Sequence, residues 1–305
     1  MNMDLIEIQK KIRKIAAEKN AVILAHNYQS PEIQDIADFV GDSLNLSKRA
    51  AETNADIILF CGVSFMAETA KILAPSKKVL LPRYEAGCPM AMMITPDELR
   101  VLKAEHPDAA VVAYVNTTAE IKALSDVCCT SSNALQVVKG VENKKIIFVP
   151  DKNLGDYCKR RVSEKEIILF NGYCYVHNQI TADRIIRTKK KYPAARIIAH
   201  PECPYETLQL SGAILSTEKM LDFVKNDAAD EFIIATEPGI IHRLNKELPG
   251  KKYYPVDDYV ICKTMKLTRI EDALAAIENE QYEINLDTDI ISAARGALDK
   301  MLEYI

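Results

Sequence analysis

No stretch of this 305-residue chain approaches the ~20 consecutive apolar residues that a bilayer-spanning helix needs. It has no CxxC pair either, which removes the usual zinc-finger and thioredoxin-like readings of cysteine. Positive charge is not concentrated: 39 Lys and Arg stand against 43 Asp and Glu, a formal net charge of −4. That balance argues against a nucleic-acid partner or an anionic membrane surface, both of which need a clustered positive face. The densest basic run, "RTKKKYP" at 187–193, reads as the solvated end of a helix, where cations suit the dipole. No cleavable leader is expected at the N-terminal segment either. "MNMDLIEIQKKIRKIAAEKN" alternates apolar and charged residues at helical spacing, with no hydrophobic core segment or small-residue cleavage site, so a surface helix is expected there. The chain is therefore expected in the cytoplasm, where its eight cysteines should not pair as disulfides.

What the chain does contain is a repeat. "AVILAHNYQSPEIQDIADFVGDS" from Ala21, "AAVVAYVNTTAEIKALSDVCCTS" from Ala109 and "ARIIAHPECPYETLQLSGAILST" from Ala195 align without gaps, at offsets of 88 and 86 residues. Each opens on a short β-branched run, continues through a polar turn and a helical segment, and closes on a small hydroxyl residue. Second apolar runs follow at "IILF" (57–60), "IIFV" (146–149) and "IIAT" (233–236), then third runs in "KVLLP", "EIILF" and "KYYPV". Short strands alternating with helical patterns mean βαβ units and parallel sheets covered on both faces. The expected architecture is α/β: three pseudo-threefold-related α/β/α layers of about three strands each. Their limits are read as 1–88, 89–174 and 175–262, with a helical tail, 263–305, packing back on the first unit. A TIM barrel is the alternative, but eightfold closure does not suit a threefold repeat. Thr95, Thr181 and Thr268 are expected to cap the helices that link the units, and "TPDE" adds proline at the first helical position.

A cysteine lies just past each third run: Cys88, Cys174 and Cys262, 86 and 88 residues apart. The other five, Cys61, Cys128, Cys129, Cys158 and Cys203, show no threefold recurrence and default to core thiols. Ligands of open parallel sheets bind beyond the carboxyl ends of the strands. The register places His26, Tyr114 and His200 at one level there, and Tyr28, Asn116 and Glu202 two residues on. Ser43, Ser131 and Thr217 follow, each expected to open a helix whose free N–H groups favour an anion. Ordinary N-capping is the competing reading of the three hydroxyls. Three cysteines meeting on an axis suit a metal centre. Zinc held by three cysteines and water is one form; an iron–sulfur cluster with one iron left free of thiolate is another. His177, three residues after Cys174, reads as a neighbour of the centre rather than a ligand, since Cys88 and Cys262 have no matching histidine.

At these residues the chain resembles quinolinate synthase. The resemblance is carried in order by "ILAHNYQSPEIQDIADFVGDS", "YVNTTAEIKALSDVCCTSSNA", "PDKNLG", "HPEC" and the turn cysteines of "GCPM", "GYCYVH" and "VICKTMK". It implies three α/β/α domains around a central site beneath an oxygen-sensitive [4Fe–4S] cluster. It further implies condensation of iminoaspartate with dihydroxyacetone phosphate to quinolinate, phosphate and water, in de novo NAD synthesis. Position by position, Cys88, Cys174 and Cys262 resemble the three cluster ligands, leaving one iron open. His26, Ser43, Tyr114, Asn116, Ser131, His200, Glu202 and Thr217 match the substrate-contacting residues, and Tyr28 the catalytic tyrosine; Tyr28, Glu202 and His200 are the candidates for proton movement. The partners implied are these two small molecules, with room for a transient contact with an iminoaspartate-producing enzyme. Two departures stand out. Cys262 is followed by "KTM" and no later cysteine, so a disulfide switch known in some members does not carry over. "GYCYVH" also flanks its cysteine with residues unlike those of close relatives. Other readings remain open on the same scaffold: a zinc hydrolase with three cysteine ligands, a redox-responsive ligand-binding protein, or a triplicated fold with purely structural thiols.

Overall fold

The computed structural model describes residues 4–304, and its frame comes from apolar runs buried on both faces. Ala21–His26 (β1), Phe39–Gly41 (β2), Ile57–Cys61 (β3) and Lys78–Leu80 (β4) form a sheet in the order β2-β1-β3-β4. Ala109–Tyr114 (β5), Val127–Cys129 (β6), Lys145–Val149 (β7) and Glu166–Leu169 (β8) form a second, β6-β5-β7-β8. Arg196–Ala199 (β9), Ala213–Ile214 (β10), Glu231–Ala235 (β11) and Lys252–Pro255 (β12) form the third, β10-β9-β11-β12. Every pairing is parallel, so each connection crosses a sheet face, and helices cover both faces. This is the threefold α/β/α arrangement the repeat predicts, and three separate sheets rule out a single closed barrel.

Each sheet has four strands, where three apolar runs had predicted three. The additional members, β2, β6 and β10, are edge strands of only two or three residues. Such pieces are too short to show a period. They form because the helix before each is itself brief, at Pro31–Ile36, Ala119–Ala123 and Tyr205–Gln209. Within each sheet the first and third strands lie side by side and lead off in opposite directions. That switch leaves a crevice beyond their carboxyl ends.

The core follows from the strands. All five residues of β3 are buried, as are five of six in β1 and in β5. Removing one such Val, Leu or Ile side chain from water is worth about 1.5–3 kcal/mol. The helix Leu5–Glu18 starts at a capping box between Asp4 and Glu7 and buries Ile8, Ile12 and Ala16. Those three share a cluster with Ala273, Ala276 and Ile277 of the helix Ile270–Asn279. The last helix, Thr288–Glu303, lies against Ala119–Ala123 and β6 of the second unit and also touches the helix Ser64–Leu73 of the first. No helix among the described residues is long and apolar enough to cross a membrane.

Two of the three expected threonine caps form. Thr95 accepts from Glu98 N with Pro96 just inside the helix, and Thr181 accepts from Arg184 N. The basic run ends the helix Ala182–Lys191, with three lysines in its last turn. Thr268 does not cap. The helix begins at Ile270 after Arg269, whose N–H is taken by Asp272 Oδ2 at 2.9 Å. Thr268 instead ends the preceding turn, buried, with its hydroxyl unpartnered among the described residues.

Candidate active site

One pocket draws every level of the repeat together. His26 ends β1, Tyr114 ends β5 and His200 follows β9; all three line it. Tyr28, Asn116 and Glu202, in the turns just beyond, line it too, as do Ser43, Ser131 and Thr217. Cys88, Cys174 and Cys262, from the loops after β4, β8 and β12, complete it with His177. Each unit contributes one residue at each of these four levels, because each carboxyl-end crevice faces the same centre.

The hydroxyls are not spent on capping. Ser43 is the first residue of the helix Ser43–Glu52, whose cap is Asp42, and Thr217 is the first of Thr217–Asn226, whose cap is Ser216. Ser131 does not open a helix: it sits in the turn before Asn133, the cap of Ala134–Gly140. Asp42, Ser132 and Ser216 bring the three units into contact, with Ser132 Oγ 2.7 Å from Ser216 Oγ and donating to Asp42 Oδ2 at 3.3 Å. Burial raises the Asp42 carboxyl to about 6, against the pull of the Asn45 amide. The pocket wall includes no lysine or arginine. An anion placed there would meet neutral O–H and N–H donors and the N-termini of two ten-residue helices.

The histidines are such donors. His26 Nδ1 accepts from Tyr28 N at 3.2 Å and His200 Nδ1 accepts from Glu202 N at 3.4 Å, the same bond at the same register. In each ring Nε2 is then the protonated nitrogen, free to donate to a ligand. Burial, opposed by the charge of Glu202, lowers both pKa values to about 3, so both rings are neutral. Asn116 Oδ1 is buried without a partner among the described residues, an acceptor that a bound molecule can satisfy.

Glu202 is the charged centre of the site. Tyr114 donates its hydroxyl to Oε1 and His177 Nδ1 donates to Oε2 at 2.8 Å. Burial alone would raise this carboxyl, but the neighbouring His177 and the bonds from His177 and Tyr114 hold it low. His177 Nε2 lies 2.8 Å from Thr236 Oγ1. Thr236 Oγ1 in turn lies 2.6 Å from the Tyr28 hydroxyl. A chain of hydrogen bonds thus links Tyr28 through Thr236 and His177 to Glu202. Burial and the charge of Glu202 raise the Tyr28 phenol well above its ordinary value, against the Thr236 bond.

Thr236 was invisible to the repeat logic, since Gly62 and Pro150 occupy its register positions, and His177 likewise has Ala91 and Met265 for counterparts. The residues that break the symmetry carry this chain of bonds.

All eight cysteines are free. Cys61, Cys128, Cys129, Cys158 and Cys203 are buried in the core, where burial raises the thiols of Cys61, Cys128 and Cys158 to about 12. Cys88, Cys174 and Cys262 are half-buried and are the cysteines lining the pocket. Burial raises Cys88 to about 12 and the charge of Cys262 adds to it; Cys174 is raised by burial and, in lesser part, by Cys88. Cys88 therefore lies within electrostatic reach of both other thiols. Three thiols around one cavity, with no fourth cysteine in its wall, fit a cluster ligated at three corners. His177 Nδ1 is 3.2 Å from Cys174 Sγ, and Cys174, His177 and Glu202 present donor atoms within 4.8 Å of one another, a set able to hold a metal ion. Both ring nitrogens of His177 are already engaged, however, which makes it a hydrogen-bonding neighbour of Cys174.

Comparison with known proteins gives one consistent result. A family model described as "Quinolinate synthetase A protein" matches residues 10–303. The quinolinate synthase of Caldicellulosiruptor saccharolyticus is 48% identical over 301 residues, 99% of this chain and 99% of that protein. That of Methanoregula boonei is 49% identical over 299 residues, 98% and 99%. That of Thermodesulfovibrio yellowstonii is 50% identical over 296 residues, 97% and 98%.

Proposed function

The chain belongs to the quinolinate synthase family, and from that premise we propose that it condenses iminoaspartate with dihydroxyacetone phosphate to quinolinate, phosphate and water. It is an enzyme of NAD biosynthesis. The observation that carries the reading is the meeting of Cys88, Cys174 and Cys262 on the pocket that also holds Tyr28, Glu202 and three hydroxyl-bearing residues.

These three cysteines would hold a [4Fe–4S] cluster, which supplies a Lewis-acid iron with no protein thiolate on it. The rest falls to the chain itself. Ser43, Ser131 and Thr217 would bind carboxylate and phosphate oxygens, and His26 and His200 would donate from Nε2 to anionic oxygens without bringing a charge. Asn116 and Tyr114 would orient the condensing pair. Glu202, held anionic, is suited to accept a proton during isomerisation and dehydration, with His200 as its neighbour. Tyr28 can deliver a proton to a leaving hydroxyl, with Thr236 and His177 holding its phenol in place. An imine hydrolyses in water, so a transient contact with the iminoaspartate-producing enzyme would shorten its exposure. Free thiols throughout fit a reducing cytoplasm.

The test is oxygen-free purification, an iron and sulfide count, and product formation from the two substrates. Iron with sulfide and quinolinate formation support the reading. Zinc without sulfide would favour the hydrolase, and a loaded cluster without turnover would favour a redox-responsive binding protein.

A further inference from the structure

Two buried carboxylates lie outside the chemistry just described. Asp151, two residues past β7, and Glu237, two past β11, occupy matching positions of the second and third repeats, 86 residues apart. Both are fully buried. Asp151 Oδ2 accepts from the backbone N–H of Cys174 at 3.1 Å, and Oδ1 from Leu154 N at 2.8 Å. Glu237 Oε1 accepts from the backbone N–H of Cys262 at 3.3 Å, and Oε2 from Gly239 N at 2.7 Å. The same bond is made twice, at the same point of the fold, to the two pocket cysteines of those repeats. In the first repeat the position is Val63, and the loop before Cys88 is tied by main chain instead, Ser64 N to Ala86 O at 2.8 Å.

A buried carboxylate is costly unless hydrogen bonds compensate it, and an apolar residue fills the site in the first repeat. What the acid adds in the other two is an acceptor for the cysteine's amide. Glu237 reaches one group further: Lys266 Nζ lies 3.3 Å from Oε1 and also donates to the carbonyl of Tyr28. The crowding is tight. A Cβ on Gly239 would stand 2.7 Å from both Glu237 Oε2 and Lys266 Nζ and 2.9 Å from the Tyr28 carbonyl carbon, so glycine is required there.

We propose that Asp151 and Glu237 are positioning residues that fix the main chain of the Cys174 and Cys262 loops, presenting those sulfurs to the pocket before any metal centre is built. The inference rests on reading the three pocket cysteines as ligands, but its test needs neither cluster nor substrate.

Metal-free protein is alkylated with iodoacetamide under reducing, oxygen-free conditions, and the rate at each cysteine is followed by peptide mass spectrometry. Asp151→Ala should speed alkylation of Cys174 about tenfold, the weight of one charge-assisted hydrogen bond, and leave Cys88 and Cys262 unchanged. Glu237→Ala should do the same to Cys262 alone. Asp151→Asn and Glu237→Gln keep an acceptor oxygen and should return rates near those of the unaltered protein. Reconstitution with iron and sulfide should slow in the two alanine variants. Unchanged rates at the partnered cysteine would overturn the proposal. So would equal acceleration at all three, which marks general loosening. If one alanine variant does not fold, the other and its conservative counterpart decide. A reconstituted protein that makes no quinolinate would remove the proposed reaction and leave the alkylation result standing.

Discussion

The hydroxyl of Tyr28 in the first unit lies 2.6 Å from that of Thr236 in the third, and Thr236 stands 2.8 Å from His177 Nε2. The bond joins residues 208 apart in sequence. It ties the phenol through Thr236 to His177, whose other ring nitrogen lies 2.8 Å from Glu202 Oε2.

Replacing Tyr28 with Phe removes the proton and keeps the ring, which packs edge-on against His26 at 4.6 Å. The expected outcome is an unchanged iron and sulfide content, substrate binding within a few-fold, and turnover lower by about 10² to 10⁴. Full activity in this variant would remove Tyr28 from the chemistry.

Thr236→Val tests the route rather than the acid. Valine keeps the shape but cuts the chain between Tyr28 and His177. We expect kcat to fall by roughly 10- to 100-fold with KM little changed, since the substrate keeps its contacts. A change confined to KM would mean that Thr236 only shapes the pocket.

Serine at Cys88, Cys174 or Cys262 should each give iron-poor, pale protein. Cys158→Ala, in the core away from the pocket, should keep full iron content and lose only packing, about 1–3 kcal/mol of stability. Iron loss on the core substitution, or retention on all three of the others, would contradict the assignment.

Binding of the phosphate-bearing substrate should weaken by roughly fivefold to tenfold in Ser43→Ala and in Thr217→Val, the weight of one hydrogen bond each. Calorimetry with dihydroxyacetone phosphate measures it directly. Unaltered affinity in both would move the phosphate elsewhere in the pocket.

Acid should destabilise the metal-free protein through its histidines. His26 and His200 titrate near 3 when folded, against 6.5 ordinarily, so between those values the unfolded chain binds the extra protons. Stability therefore falls as pH drops below 6.5, by up to about 1.4 kcal/mol per pH unit and histidine. Asp42 acts with the opposite sign between 3.8 and about 6, because its folded value is raised. His26→Gln should flatten the loss of denaturation midpoint between pH 7 and 5. Parallel curves for the two proteins would mean that His26 is already charged in the fold.

The sequence was most legible where the chain repeats itself. Continuous apolar runs identified β1, β3, β5, β7, β9 and β11, because strands buried on both faces have no polar alternation to hide them. The register then aligned His26 with Tyr114 and His200, and Cys88 with Cys174 and Cys262, all of which line one pocket. Legibility failed at β2, β6 and β10, where two or three residues pair only because a neighbouring strand offers its edge. It failed again at Thr268, where the side chain of Asp272, four residues on, took over the work of a cap.

By itself the chain's order of residues determined the threefold α/β/α plan and which side chains stand at equivalent points of it, since both follow from periodicity along one dimension. Only tertiary structure decided that Thr236 links Tyr28 to His177, that Glu202 holds its charge between Tyr114 and His177, and that Asp151 and Glu237 grip the amides of Cys174 and Cys262. Two of these bonds, Tyr28–Thr236 and Tyr114–Glu202, join residues from different repeats, and none recurs three times. A hydrogen bond depends on distances of about 3 Å between groups far apart in the chain, and no local pattern encodes that separation.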